Sequence, residues 1–368
     1  MSGRPDPEIQ HGIKRRRFLS TLALVPLWRT TAARALQAGQ PSDAKFQESD
    51  LSSLRTRLTS NELFFIRNHF APPQVALSGW KLRVSGRVRT PLEITYEELL
   101  RKPSRTLTVT LECAGNGVGS GGVGNATWTG VPLKAVLAQA GMSSGAKEVR
   151  LVGADQGAEN PADPRVRFAR SIPVAKAMHP DTLLAYQMNG VPLPAEHGYP
   201  LRAIIPGWYG MDSVKWLTGM EVLDHPDTSY FMTRRYNATR LGVVGSDQRP
   251  VTRVLIKSLI TQPREKEILK VGFNTIEGAA WAGENRVARV EVSTNEGKNW
   301  TTASLNWDSQ PYSWVFWTYS WGVGAPGTYT VTARAVDDEG NVQPSARDSL
   351  RMDSYELNSY HSVRCEVR

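Results

Sequence analysis

Cysteine is scarce in this chain, with only Cys113 and Cys365 among 368 residues. Two distant thiols do not make a zinc or iron–sulfur ligand set, which needs clustered Cys or His. No Cys-x-x-Cys-His segment for covalent haem occurs either. Long apolar runs are missing as well: none reaches the roughly 20 residues that a membrane-spanning helix requires. The formal charge is +9, yet beyond the N-terminus no basic block interleaved with aromatics is present, which argues against a nucleic-acid surface. A mild positive excess suits an anionic substrate or an acidic partner instead. There are no internal repeats and no low-complexity tracts.

What is present is an ordinary globular composition, 40% hydrophobic and 21% charged, in a chain long enough for two domains. Eleven Trp and eleven Tyr favour sheet-rich packing. The N-terminus carries Lys14-Arg15-Arg16-Arg17-Phe18-Leu19-Ser20, then a short apolar stretch from Thr21 to Trp28, then small residues at Ala32, Ala33 and Ala35. Two adjacent arginines, one intervening residue and Phe-Leu match the twin-arginine export pattern; a basic tail is the plainer alternative. Residues 1–38 are therefore expected to be a twin-arginine signal peptide and the mature protein periplasmic. Twin-arginine export carries folded proteins, which suits one that takes up a cofactor before leaving the cytoplasm. In an exported protein the two cysteines could also form one disulfide; otherwise Cys365 is an incidental thiol.

From about residue 62 to 235 short strands, Gly/Pro loops and a few helices alternate. Trp80–Gly86 and Arg105–Leu111 alternate like strands. Pro132 opens a helix with Leu133, Val136, Leu137 and Ala140 on one side, and Gly141 stops it. Glu148–Val152 reads as a strand ending at Gly153-Ala154-Asp155, and Ser171–Met178 as a short helix. Residues 237–250 look like a loop. Thereafter strands such as Ala288–Ser293 and Tyr329–Ala335 alternate with turns at Asn295-Glu296-Gly297 and Asp337–Asn341, pointing to a β-sandwich of about 110 residues.

Gly117-Val118-Gly119-Ser120-Gly121-Gly122 satisfies G-x-G-x-x-G after a strand. A dinucleotide fingerprint must open directly into a helix, and Val123-Gly124-Asn125-Ala126-Thr127-Trp128 continues poorly as one. Just upstream, Cys113 ends a buried-type strand. A thiolate on a rigid element suits a thiophilic transition metal. On the residues alone, a buried structural thiol is an equal reading.

Glu112-Cys113-Ala114-Gly115-Asn116, followed by Ala126-Thr127-Trp128-Thr129-Gly130-Val131-Pro132-Leu133, resembles the molybdenum-binding segment of the sulfite oxidase family. Further matches follow in order: Phe65-Ile66-Arg67-Asn68-His69, Gly153-Ala154-Asp155, Leu184–Gly190, His197-Gly198-Tyr199-Pro200-Leu201-Arg202 and Val214-Lys215-Trp216-Leu217. Arg289–Ser293 and the closing Asn358-Ser359-Tyr360-His361 are similar to the family's dimerisation domain.

The resemblance implies an α+β molybdopterin domain over residues 46–240, then an immunoglobulin-like dimerisation sandwich over 250–368 and hence a homodimer. It implies one molybdopterin, with Cys113 as the protein's metal ligand and Arg67 and Tyr236 as catalytic residues. His197, Arg202 and Lys215 correspond to phosphate and pterin anchors, and Arg67, Asn68, His69, Asp155, Ser213 and Val214 to positions lining the cofactor. Singly, His197 reads as a satisfied loop histidine and Arg67 as a surface ion pair; the ordered set reverses that. The implied chemistry is oxygen-atom transfer on a small sulfur compound, sulfite by default, with electrons passed to a separate acceptor such as cytochrome c. Other expectations are an S-oxide reductase or other sulfur-compound dehydrogenase, or a non-catalytic subunit retaining the fold. S-oxide-reducing members generally lack the C-terminal sandwich.

The chain departs from the pattern at the substrate. The arginine pair expected after Asn116 is Gly117-Val118, the arginine usual after the final histidine motif is Ser362, and the loop to Trp128 is short. A divalent oxyanion favours bidentate guanidinium partners, so Arg234, Arg235 or Arg364 would have to compensate.

Overall fold

A computed structural model describes residues 46–51, 54, 56–160, 162–242 and 249–368. The expected signal peptide lies outside the described residues. Cys113 stands at the end of an antiparallel sheet ordered Val191–Pro192, Leu183–Met188, Val123–Pro132, Arg105–Glu112, with Arg202–Ile204 pairing off Leu183–Met188. Arg105–Glu112 is exposed at its start and buried at its end. Val109 and Leu111 pack there against Ala126, Trp128, Leu183 and Phe64, so the segment that delivers Cys113 is the strand's most deeply packed part. Residues 117–122 lead into the strand Val123–Pro132, which removes the helix a dinucleotide site needs.

A second sheet runs Leu92–Thr95, Lys81–Gly86, Leu217–Leu223, Glu148–Gly157, Val166–Pro173, with Lys81–Gly86 and Leu217–Leu223 parallel. The helix Leu133–Ala140 forms as its spacing predicts: its four apolar residues are buried and Gly141 takes a left-handed φ of 68°. Two expectations need correction. The helix at Ser171–Met178 shrinks to Val174–Ala177, because Ser171, Ile172 and Pro173 stay paired with Arg150, Val149 and Glu148. The strand from Glu148 does not end at Gly153 but runs to Gly157, with an irregularity between Val152 and Gln156. Such a bulge re-aims side chains, and here it carries Asp155. The mixed α+β expectation holds in outline, but the protein is mostly strand, its longest helix among the described residues spanning eight.

The C-terminal strands form two sheets. One is ordered Lys257–Gln262, Gly272–Trp281, Val315–Val323, Ser304–Leu305, the other Ile268–Leu269, His361–Val367, Gly327–Asp337, Val287–Ser293, Thr301–Thr302. Successive side chains on a strand face opposite ways. Ile260, Ala280, Val315 and Trp317 accordingly join Val290, Val331 and Ala333 between the two sheets. Their neighbours Leu259, Ala279, Trp281 and Phe316 join the core of the preceding part of the chain. Over residues 257–261, 278–281 and 315–317 the first sheet is thus buried on both faces. Residues 237–250 are not wholly loop, since Asn237–Ala238 pairs with Arg249–Pro250. Cys113 and Cys365 are both free thiols, Cys365 being buried at 0% exposure, so no disulfide joins them.

Candidate active site

Every site residue expected from the sequence lines one cleft: Arg67, Asn68, His69, Cys113, Asp155, His197, Arg202, Ser213, Val214, Lys215 and Tyr236. It encloses about 700 Å³ of space, solvent at its mouth included. Cys113 projects from the strand end, where its backbone N–H donates to Gly122 O at 2.8 Å. Arg67 ends the short strand Ile66–Arg67, Asn68 and His69 follow it, and Asp155 comes from the bulge. His197 closes the turn Ala195–His197, and Arg202 opens the strand Arg202–Ile204. Ser213, Val214 and Lys215 follow the turn Gly210–Asp212. Tyr236, after the helix Tyr230–Thr233, has φ 56°, a left-handed conformation unusual for an aromatic residue.

The cleft is poor in negative charge, Asp155 being the single carboxylate of its lining among the described residues. Lys215 is partly buried: desolvation, helped by Arg202, brings its ammonium down to about 7. Desolvation also takes Arg202 down to about 9. His197 falls to about 4 through burial, against its hydrogen bond to the Asn61 carbonyl at 2.8 Å. Asp155 is pushed up to about 7 by burial, with Lys215 pulling the other way. Clustered buried cations of this kind are stabilised by an anion that offers charge-assisted acceptors.

The polar atoms left over define what would fit. Arg202 donates to the carbonyls of His197 and Ser213, both at 3.0 Å, yet its Nε is buried without a partner. Lys215 Nζ donates to Asn68 Oδ1 and to the Glu196 carbonyl, while Asn68 Nδ2 and Asp155 Oδ1 are orphaned. Buried orphans are rare in native proteins. Two donors and an acceptor around one cleft are the complement of a polar group that both accepts and donates hydrogen bonds, and a phosphate-bearing pterin fits them.

Beside Cys113 the character changes. Burial pushes the Cys113 thiol up, opposed by the Arg67 charge. His69 is stacked on Phe168 with ring centroids 5.3 Å apart, and its Nδ1 meets Glu159 while its Nε2 meets Tyr236 Oη. Burial keeps the His69 imidazole below its ordinary value and hence neutral. A carboxylate only accepts, so Nδ1 donates to Glu159, Nε2 accepts, and Tyr236 is the donor. Glu159 is held below the ordinary carboxylate range against its own burial, by His69 and by Arg235.

The match to known proteins follows this geometry. The profile "Oxidoreductase molybdopterin binding domain" matches residues 69–231, and "Mo-co oxidoreductase dimerisation domain" matches 248–368. Sulfite oxidase of Arabidopsis thaliana is 30% identical over 354 residues, covering 86% of this chain and 89% of that protein. The chain belongs to the sulfite oxidase family. Mitochondrial sulfite oxidase of Homo sapiens is 35% identical over 342 residues, 84% of this chain and 62% of that protein, so this chain spans about three fifths of the human enzyme. Among solved structures, the sulfane dehydrogenase SoxCD from Paracoccus pantotrophus is similar with TM-score 0.78 and 27% identity, covering 94% of this chain and 92% of that one.

For a sulfite oxidase family member the arginine supply is thin. Arg67 and Arg202 line the cleft, whereas Arg234, Arg235 and Arg364 do not, so none of those three replaces the missing pair. Arg235 is spent on Glu159, and Arg364 lies exposed on the outer C-terminal sheet. Sequence reasoning missed Glu159, 90 residues from its partner His69. No spacing signals such a contact. It also missed Phe168, the ring beneath His69.

Proposed function

We propose that this chain is a molybdenum-cofactor oxidoreductase that transfers an oxygen atom on a small sulfur compound, with sulfite as the default substrate. Residues 46–240 form its catalytic part, and residues 250–368 an immunoglobulin-like sandwich through which two copies pair. Electrons leave to a separate acceptor such as cytochrome c, and the basic twin-arginine-type segment before Thr21 directs the protein to the periplasm. The observation that carries the reading is the convergence of Cys113 with orphaned donors on Arg202 and Asn68 in one basic cleft.

Cys113 would bind the metal, while Arg202, Lys215, His197 and Asn68 would hold the pterin and its phosphate. When bound, the cofactor supplies two-electron oxygen-atom chemistry. Arg67 places a positive charge beside Cys113 to orient an anionic substrate. Tyr236 is kept protonated by burial. Its hydroxyl is committed to His69, so its oxygen lone pairs remain to accept a hydrogen bond from water or substrate.

A second reading is oxidation of a less charged sulfur species. One observation favours it: Arg67 is the arginine whose charge acts on Cys113, and Met211, Phe65 and Phe168 are among the apolar residues lining the same cleft. The SoxCD structure, named a sulfane dehydrogenase, has the same overall fold. The test is metal analysis of protein made in cofactor-competent cells, then electron paramagnetic resonance of the centre exposed to sulfite, dimethyl sulfide and methionine sulfoxide. Reduction by sulfite supports the default, and reduction by the uncharged sulfide alone supports the second reading. Turnover of the sulfoxide alone would overturn both, as would wild-type protein without molybdenum. Cys113→Ser should stay folded and lose turnover.

A further inference from the structure

We propose that the C-terminal part of the chain holds the cofactor cysteine in place, with Lys257 and Trp281 acting as positioning residues on the Cys113 loop through Glu112. The proposal rests on Cys113 being the metal ligand.

Glu112, directly before Cys113, is 0% exposed, and its carboxylate sits under the loop it introduces. Three donors converge on it. Lys257 Nζ donates to Oε1 at 2.5 Å, Trp281 Nε1 to Oε2 at 2.8 Å, and Asn116 Nδ2 to Oε1 at 3.0 Å. Lys257 and Trp281 are direct partners across two antiparallel strands of the C-terminal sheet, so both side chains leave the same face. Lys257, 2% exposed, spends a second proton on the Asn116 carbonyl at 3.1 Å. Asn116 Oδ1 then accepts from Gly122 N at 2.9 Å, and Gly122 O accepts from Cys113 N. One buried cation thus closes both ends of the loop that presents the thiol.

The C-terminal part touches this loop again at Ala114, whose carbonyl accepts from Glu356 N at 3.0 Å. It does so once more at Gly119, where an added Cβ would lie 2.7 Å from His361 Nε2. A buried pair supported by further hydrogen bonds is weak as a source of stability and better suited to fixing one arrangement. Here the arrangement fixed is the direction of a thiol.

The test uses the full-length chain, made with and without cofactor synthesis, as wild type, Lys257→Met, Lys257→Gln, Glu112→Gln and the Glu112→Gln/Lys257→Met double variant. In cofactor-free protein, iodoacetamide labelling of Cys113 should quicken roughly tenfold or more in Lys257→Met, the effect of losing one hydrogen bond to a charged group. Labelling of buried Cys365 should not change. Lys257→Gln, which keeps a donor, should recover most of the parental rate, and the double variant should label no faster than the quicker single variant. With cofactor synthesis, molybdenum content should fall in Lys257→Met. A lower melting temperature with parental labelling and parental molybdenum would overturn the proposal, leaving Lys257 as interdomain packing. Wild-type protein without molybdenum would instead overturn the assignment of Cys113 as ligand, and the labelling arm would still decide what holds the loop.

Discussion

His69 has one apolar ring face on Phe168 and two nitrogens with unlike partners, so its tautomer is set by Glu159. Glu159→Gln can present an N–H to Nδ1, which would reverse the tautomer and turn the Tyr236 hydroxyl from donor to acceptor. The expected result is a fall in kcat on the order of ten- to a hundredfold, as when an orienting carboxylate is lost, with KM little changed. Unaltered steady-state kinetics would remove Tyr236–His69–Glu159 from the working site. A second prediction concerns His197, whose folded-state value of about 4 lies below the ordinary 6.5. Between those values the unfolded chain binds more protons, so stability is complete above 6.5 and is lost as pH falls towards 4. His361 shares the direction and the window. In cofactor-free protein, His197→Gln should therefore shrink, without abolishing, the drop in Tm from pH 7 to pH 4.5. An identical drop in the variant would contradict the assignment.

At the level of elements, the loop between Arg105–Glu112 and Val123–Pro132 and the bulge at Gly153–Asp155 share a device. Each lacks a side chain where a neighbour must come close. At Gly153 an added Cβ would meet Asp155 Oδ1 at 2.4 Å, so the missing methyl is what lets the carboxylate turn into the cleft. At Gly121 an added Cβ would lie 1.8 Å from the Ser49 carbonyl oxygen, while Ser49 N donates back to Gly121 O at 2.9 Å. Gly121→Ala has no flexible side chain to displace, only backbone. It should lower unfolding stability by roughly 1–3 kcal/mol and reduce bound molybdenum, measured by denaturant titration and metal analysis. The glycine run that superficially resembles a nucleotide fingerprint is thus accounted for by close packing of the cysteine loop.

For the whole molecule, the decisive feature is the C-terminal sheet buried on both faces over residues 257–261, 278–281 and 315–317. Leu259, Ala279, Trp281 and Phe316 cover apolar surface that belongs to the preceding part, and Lys257 neutralises a carboxylate there. A fragment ending at residue 240 would expose that apolar surface and strip Glu112 of Lys257 and Trp281, which together should be strongly destabilising. Such a fragment is expected to aggregate or to lack near-ultraviolet circular dichroism. A monomeric fragment that unfolds cooperatively would refute this.

Much of the site was readable because it is written in local words: Arg67-Asn68-His69, Glu112-Cys113, His197 with Arg202, and Val214-Lys215 each place two or more functional groups within six residues. Strand and helix periods were readable for the same reason, since Leu133, Val136, Leu137 and Ala140 report one helical face. The lengths of Val174–Ala177 and Glu148–Gly157 were misjudged because pairing with Val166–Pro173 overrode local preference. The amino-acid order by itself determined which residue types gather round the cleft and, through the family resemblance, singled out Cys113 from Cys365. Tertiary structure alone decided which charges act there: that Arg235 is taken up by Glu159, that Arg364 lies outside the cleft, and that Lys257 reaches 145 residues back to Glu112. The physical reason is that charge acts over a few ångströms, and no spacing rule carries such distances between strands that meet only on folding.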